Sequence, residues 1–154
     1  MSQNPWETNP KFREGGALNI PFDEASYDIV LNVESSHCYS DLPKFLSEVK
    51  RVLRPGGFFV WTDLYPETTT QKYHTAFDVS GLQRVRTYDI TQNVLRALDN
   101  KPINDAKKEI IQTQIPLLMR EIIRRFSGMK DTDIYNFLKD SRTIYYVSIL
   151  TKDT

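Results

Sequence analysis

The spacing of hydrophobic positions changes period several times along the chain, and each change marks an element. Tyr27-Asp28-Ile29-Val30-Leu31-Asn32-Val33 is an apolar run rich in β-branched residues, which predicts a strand buried on both faces. Leu42, Phe45, Leu46, Val49, Val52 and Leu53 then recur at steps of three and four, the stripe of a helix packed on a sheet. Asp41 is placed to cap that helix, and Pro43 falls in its first turn, where backbone N–H groups lack partners anyway. Arg54-Pro55-Gly56-Gly57 reads as the helix stop, and Phe58 to Thr62 as a second buried strand. Strand, helix and strand with short joints form a βαβ crossover, so the two strands are expected to be parallel neighbours.

Either side of this unit the pattern is weaker. Residues 1–10 read as loop or frayed end, and Lys11 to Glu14 as a short strand anchored only by Phe12. Leu64 to Gln71 is expected to be a loop, Lys72 to Ser80 a short helix ended by Gly81, and Arg84 to Asp89 a strand. Thr91 is a natural N-cap for a helix carrying Val94, Leu95 and Leu98, ended by Asn100 and Pro102. Asn104 or Asp105 opens the next, with Ile110, Ile111 and Ile115 inward. Pro116 breaks or kinks it, and Leu117, Leu118, Ile122, Ile123 and Phe126 continue the apolar stripe to Gly128. Asp131 or Thr132 caps a last short helix, and Arg142 to Thr151, nearly all β-favouring, is a buried strand. Alternating strands and helices predict an α/β layered sheet.

Composition narrows the function. At 154 residues the chain is one domain by length. Its 20 basic and 20 acidic residues cancel, so no global field favours nucleic acid or an anionic surface. The single cysteine, Cys38, excludes an internal disulfide and any cysteine-based metal cluster, and it reads as a small buried residue rather than a nucleophile. No metal site is expected. No apolar run approaches the roughly 20 residues of a membrane helix, and the first residues lack the pattern of a secretory signal. The expectation is a cytoplasmic protein.

Several of these segments together resemble the class I S-adenosylmethionine-dependent methyltransferase family. The pattern runs from Gly15-Gly16-Ala17-Leu18-Asn19-Ile20-Pro21-Phe22 through Ser26-Tyr27-Asp28-Ile29-Val30 to Glu48-Val49-Lys50-Arg51-Val52-Leu53-Arg54-Pro55-Gly56-Gly57. The stretch Asn32-Val33-Glu34-Ser35-Ser36-His37-Cys38-Tyr39 is similar to the branch of sterol and phthiotriolone-type lipid methyltransferases. The resemblance implies a single domain, residues 1–154, that corresponds to the carboxyl-terminal portion of the family's Rossmann-like α/β sheet. The first two strands and the glycine-rich turn are missing from it, and residues 91–140 form a helical insertion, or lid, before the last strand. Neither the Glu-x-Gly-x-Gly-x-Gly turn nor the acidic residue that holds the ribose occurs in the 154 residues, and Gly16 stands where the family has an adenine-binding carboxylate.

The same resemblance implies S-adenosylmethionine as cofactor, with Gly16, Ala17 and Leu18 at the adenine end and Asn32, Val33 and Glu34 at the methionine end. Glu34 has the alternative of a solvated strand-end acid. The acceptor would be a small molecule or lipid-like. His37, just past the carboxyl end of a strand, is the candidate catalytic base, with a hydrogen-bonded loop histidine as the alternative. Tyr39, Asp63 and Tyr65 are candidate substrate contacts, or ordinary turn residues. Adjacent Ser35, Ser36 and His37 cannot adopt triad geometry, so acyl transfer is dismissed. No basic patch with interleaved aromatics supports nucleic-acid binding. A strand left without its neighbour presents an open apolar edge. A non-catalytic, truncated methyltransferase-like protein acting through self-association or a partner chain is therefore the second reading.

Overall fold

The computed structural model describes residues 10–130 and 132–154; the expectations for residues 1–9 and for Asp131 as a helix cap lie outside the described residues. Among the described residues four strands and six α-helices follow one another as β1 (Tyr27–Val33), α1 (Leu42–Val52), β2 (Leu53–Pro66), α2 (Thr70–Val79), β3 (Gln83–Asp89), α3 (Thr91–Leu98), α4 (Lys101–Gln114), α5 (Leu117–Phe126), α6 (Asp133–Lys139) and β4 (Thr143–Thr151). The sheet order is β1-β2-β4-β3. β1 and β2 run parallel, with Ile29 opposite Phe58 and Val33 opposite Thr62, as a βαβ crossover requires. β4 is antiparallel to both β2 and β3, and α3 to α6 intervene between β3 and β4.

One face of the sheet is well covered. Alternation along β2 sends Phe59, Trp61, Asp63 and Tyr65 to that face, where α1 and α2 pack with Leu46, Val49, Tyr73 and Phe77. Aromatic rings dominate there: Tyr65 stacks on Tyr73 with centroids 4.1 Å apart, and Trp61 meets Phe77 edge-on at 5.0 Å. A second cluster of Leu95, Tyr135, Leu138 and Tyr145 joins α3 and α6 to β4.

Several elements differ from expectation. Lys11 to Glu14 is not a strand; the first turn instead closes on a Gly16–Asn19 bridge. β1 is not buried on both faces. Val30 packs on the α1 side and Asn32 is buried, whereas Ile29, Leu31 and Val33 are 58%, 68% and 63% exposed on the other face. β1 is also an edge strand, so an apolar run alone does not distinguish two covered faces from one.

Arg54-Pro55-Gly56-Gly57 does not stop α1, which ends at Val52 with Leu53 already extended. The four residues instead bulge within β2 and tie to the residue just past β4, Gly56 N donating to Lys152 O and Lys152 N to Gly57 O. Gly57 is packed so closely that an added Cβ would lie 2.9 Å from Arg54 O and 3.0 Å from Asp28 O. Leu64 to Pro66 prolongs β2 instead of forming a loop.

Thr91 lies inside α3 and its hydroxyl accepts from Tyr145 N, while Asp89 takes Thr91 N; a strand nearby outcompetes the local cap. Asn100 caps α4, accepting from Ile103 N, and Pro102 sits in that helix's first turn rather than ending α3. Pro116 does separate α4 from α5. Of the stripe across Pro116, Ile111 on α4 is buried, whereas none of the residues of α5 is.

Candidate functional site

The site grows from the two parallel strands. β1 ends at Val33, and Glu34 turns the chain with φ +46°, a left-handed conformation uncommon outside glycine. A single 3₁₀ turn, Ser36–Cys38, follows and drops onto the helix-covered face beside Trp61 and Asp63.

Asp63 is fully buried, and four donors surround its carboxylate. Ser36 Oγ donates to Oδ2 at 2.6 Å and His37 N at 3.0 Å; Leu64 N donates to Oδ1 at 2.9 Å. His37 Nδ1 lies 2.6 Å from Oδ1, so Nδ1 carries the proton toward the carboxylate and Nε2 of the neutral ring keeps its lone pair. Ser36 Oγ accepts from Trp61 Nε1 at 2.7 Å, closing a chain of polar groups inside an aromatic core. The His37 side chain is 37% exposed, and among the described residues its Nε2 makes no hydrogen bond. The geometry is that of an imidazole oriented by a buried carboxylate with its basic nitrogen free to take a proton.

Two of the expected substrate contacts lie in the interior of the fold. Asp63 points inward behind His37, and Tyr65, 2% exposed, is stacked in the core, where burial raises its phenol well above the ordinary range. Both lie in the interior of β2, not beyond its end. Tyr39 is half-buried; its OH donates to Ser35 Oγ at 3.0 Å and its ring packs edge-on against Phe45. Cys38, expected to be buried, is exposed.

The residues assigned to a cofactor fall in two places. Asn32 is buried, its Oδ1 accepts from Ser35 Oγ at 2.8 Å, and its Nδ2 is buried with no partner among the described residues. Val33 is exposed on the uncovered face. Gly16 sits in a turn closed by Asn19 N donating to Gly16 O, and Ala17 and Leu18 pack against the first core. That turn is stapled to α1: buried Glu48 accepts from Ile20 N and from Arg51, whose guanidinium also donates to Ile20 O and Phe22 O. The Arg51 contact holds the Glu48 carboxyl down at about 2. Glu48 falls on the buried stripe of α1, where an acid needs a partner.

Glu34 takes a third position. It lines a cavity of about 260 Å³ beneath the helices, with Leu64, Val94, Leu98, Ile134 and Tyr145. Tyr145 OH donates to the Glu34 carboxylate, and burial, then that hydrogen bond, push the phenol above its usual range. Sequence reading missed Tyr145 because nothing separates it from the other aromatics of β4; only the fold brings it to β1.

Comparison with known proteins bears on the family and the fold. The sequence model of a family described as "Methyltransferase domain" matches residues 2–61. The chain is 35% identical over 142 residues to the phthiotriol/phenolphthiotriol dimycocerosates methyltransferase of Mycobacterium tuberculosis, covering 92% of this chain and 52% of that protein. It is 33% identical over 142 residues to the fatty-acid O-methyltransferase of Mycolicibacterium smegmatis, covering 92% and 50%. The chain thus spans about half the length of the curated relatives it matches. Among solved structures, phosphoethanolamine N-methyltransferase 2 of Haemonchus contortus superposes with a TM-score of 0.73 at 16% identity, over 90% of this chain and 36% of that one, which speaks to the fold alone. The family model and these relatives agree on one point: over the portion they share, the chain is similar to S-adenosylmethionine-dependent methyltransferases.

Proposed function

We propose that this chain carries the acceptor side of a methyl-transfer site for a lipid-like hydroxyl, with His37 as general base and Asp63 as the residue that positions it. The observation that carries the reading is the 2.6 Å contact of His37 Nδ1 with a fully buried Asp63. S-adenosylmethionine, when bound, supplies an already activated methyl group, so little covalent help is needed from the protein. What the chain must do is align the acceptor and remove its proton. Nε2 of His37 accepts the hydroxyl proton as oxygen attacks, and the carboxylate of Asp63 stabilises the imidazolium that results. The cavity has apolar walls from Leu64, Val94, Leu98, Phe126, Ile134 and Leu138, with Glu34, Lys107 and Tyr145 as polar groups on its lining, which suits an acyl-like body that carries a polar group.

The residues present fit the cofactor in part. The orphaned Nδ2 of Asn32 is a buried donor that a ligand carbonyl or carboxylate would satisfy, and the Gly16 turn is open, with nothing within 4 Å of an added Cβ. Asn32 and the backbone of Gly16 to Leu18 are the groups assigned to it. A glycine-rich phosphate-type turn is not among these residues.

Equilibrium dialysis of this chain with labelled S-adenosylmethionine, followed by transfer assays on a hydroxylated long-chain lipid, tests the reading. Micromolar binding, with transfer abolished in His37→Ala but binding retained, is the expected result; transfer undiminished in His37→Ala would refute the assignment. A second reading, a non-catalytic protein acting through association, is favoured by one observation, the exposed apolar face of edge strand β1. No binding of the cofactor by this chain would leave that reading standing.

A further inference from the structure

Helix α5, Leu117-Leu118-Met119-Arg120-Glu121-Ile122-Ile123-Arg124-Arg125-Phe126, is out of keeping with a packed domain. Its apolar side chains line one side of the helix, yet Leu118, Ile122 and Phe126, spaced by single turns, are 93%, 56% and 75% exposed. Three of its four charged residues are arginine. Arg124 and Arg125 are exposed on the flank, Arg124 bonded to Glu121 and Arg125 to Asp133, while Arg120 folds back to Ile115 O. Over α4 and α5 together, Lys101, Lys107, Lys108, Arg120, Arg124 and Arg125 outnumber Asp105, Glu109 and Glu121, in a chain that is neutral overall. An exposed apolar row with a basic flank is the pattern of a helix lying in the interface of an anionic bilayer.

The row is also continuous with the cavity. Phe126 and the Ser127-Gly128 turn that follows it line the same space as Glu34 and Tyr145. Gly128 has φ +63° and folds the chain back there. An acceptor with long apolar chains resides in a membrane, so the enzyme must meet it there. We infer that α5 is the docking element: it binds the surface of a bilayer containing anionic lipid, with Leu118, Met119, Ile122 and Phe126 in the acyl boundary, and so sets the cavity mouth where a lipid acceptor emerges. The inference rests on the lipid-acceptor reading for its purpose, though the binding itself needs neither cofactor nor catalysis.

Co-sedimentation with sucrose-loaded vesicles of phosphatidylcholine containing about 30% phosphatidylglycerol tests it. The chain should pellet with these vesicles, bind pure phosphatidylcholine more weakly, and lose affinity as salt rises. The double variant Leu118→Glu/Ile122→Glu should bind about tenfold more weakly or worse, with an unchanged circular dichroism spectrum and melting curve. Because both residues are exposed, a variant that fails to fold would itself contradict the free surface. Wild-type chain that stays in the supernatant, or a double variant that pellets equally, overturns the proposal. So does a wild-type dimer that the double substitution dissociates, for then a second copy covers the row. Failure of cofactor binding, by contrast, leaves the pelleting result unchanged and bears only on methyl transfer.

Discussion

Asp63 holds His37 from two directions at once: its Oδ1 meets the ring Nδ1 at 2.6 Å while its Oδ2 accepts the backbone N–H of the same residue at 3.0 Å. Ring and backbone are therefore fixed relative to β2 by one buried carboxylate. Asp63→Ala would strand Ser36 Oγ, His37 N, His37 Nδ1 and Leu64 N and should cost about 3–5 kcal/mol. Asp63→Asn keeps the volume but turns a donor toward other donors, costing about 1–3 kcal/mol. It should also release the tautomer, which nitrogen NMR of His37 reads directly as a shift of the proton from Nδ1 to a mixture. An unchanged tautomer would show that Asp63 does not orient the ring.

How much of this site the sequence foretold depends on which signal each residue leaves. The position of His37 is legible because it falls in a short loop just past a parallel strand. The burial of Asp63 was legible too, in the alternation Phe59, Trp61, Asp63, Tyr65, but extending β2 only to Thr62 hid it. The end of a strand is poorly marked when the chain continues with Leu64 and Tyr65. Tyr145 and Glu34 are 111 positions apart, and no local pattern announces a contact of that range. Likewise α5 carries a clean helical stripe, and periodicity reports amphipathicity without saying what lies against it.

Glu48 gives the fold an acid-sensitive joint. Its folded pKa, about 2, lies below the ordinary 4.5, so the stabilisation is fully present above about pH 4.5 and is lost as pH falls toward 2. The partner Arg51 is one-third exposed, so the contribution is on the order of 1 kcal/mol after screening. Denaturant midpoints at neutral pH and near pH 3 should differ more for the wild type than for Glu48→Gln, whose amide can still accept from Ile20 N. Equal pH dependence in the two proteins would remove Glu48 as the cause. Tightening the Gly15 to Phe22 turn against α1 is what this pair achieves, so the variant should also exchange the Ile20 amide faster.

Two glycines of the matched motifs separate structure from binding. At Gly57 a methyl group would meet backbone oxygens of Arg54 and Asp28 at 2.9 and 3.0 Å, so Gly57→Ala should destabilise by about 1–3 kcal/mol and loosen the β1–β2 junction. At Gly16 a methyl group meets nothing within 4 Å, and Gly16→Ala should alter stability by less than about 0.5 kcal/mol. If Gly16 lies against the adenine ring, the same substitution weakens S-adenosylmethionine binding in dialysis without touching the melting curve. A neutral effect on both measurements would place the cofactor elsewhere.

The uncovered side of the sheet makes the last expectation. Leu31 pairs across to Val60, and Val60 to Ile149, so one row of apolar side chains crosses three strands and ends on an edge whose backbone groups are open on one side. Edge pairing between two copies would bury Leu31 and its neighbours Ile29 and Val33 and satisfy those groups at the same time. The chain alone should therefore associate as its concentration rises. A charge at Leu31, which is 68% exposed, costs little in the folded monomer and opposes apolar contact on that face and edge pairing alike. Sedimentation velocity should show Leu31→Lys remaining monomeric at concentrations where the wild type associates, with melting unchanged under dilute conditions. Association undiminished in Leu31→Lys would assign it to another surface, and α5, probed by the Leu118→Glu/Ile122→Glu variant, is the one to compare.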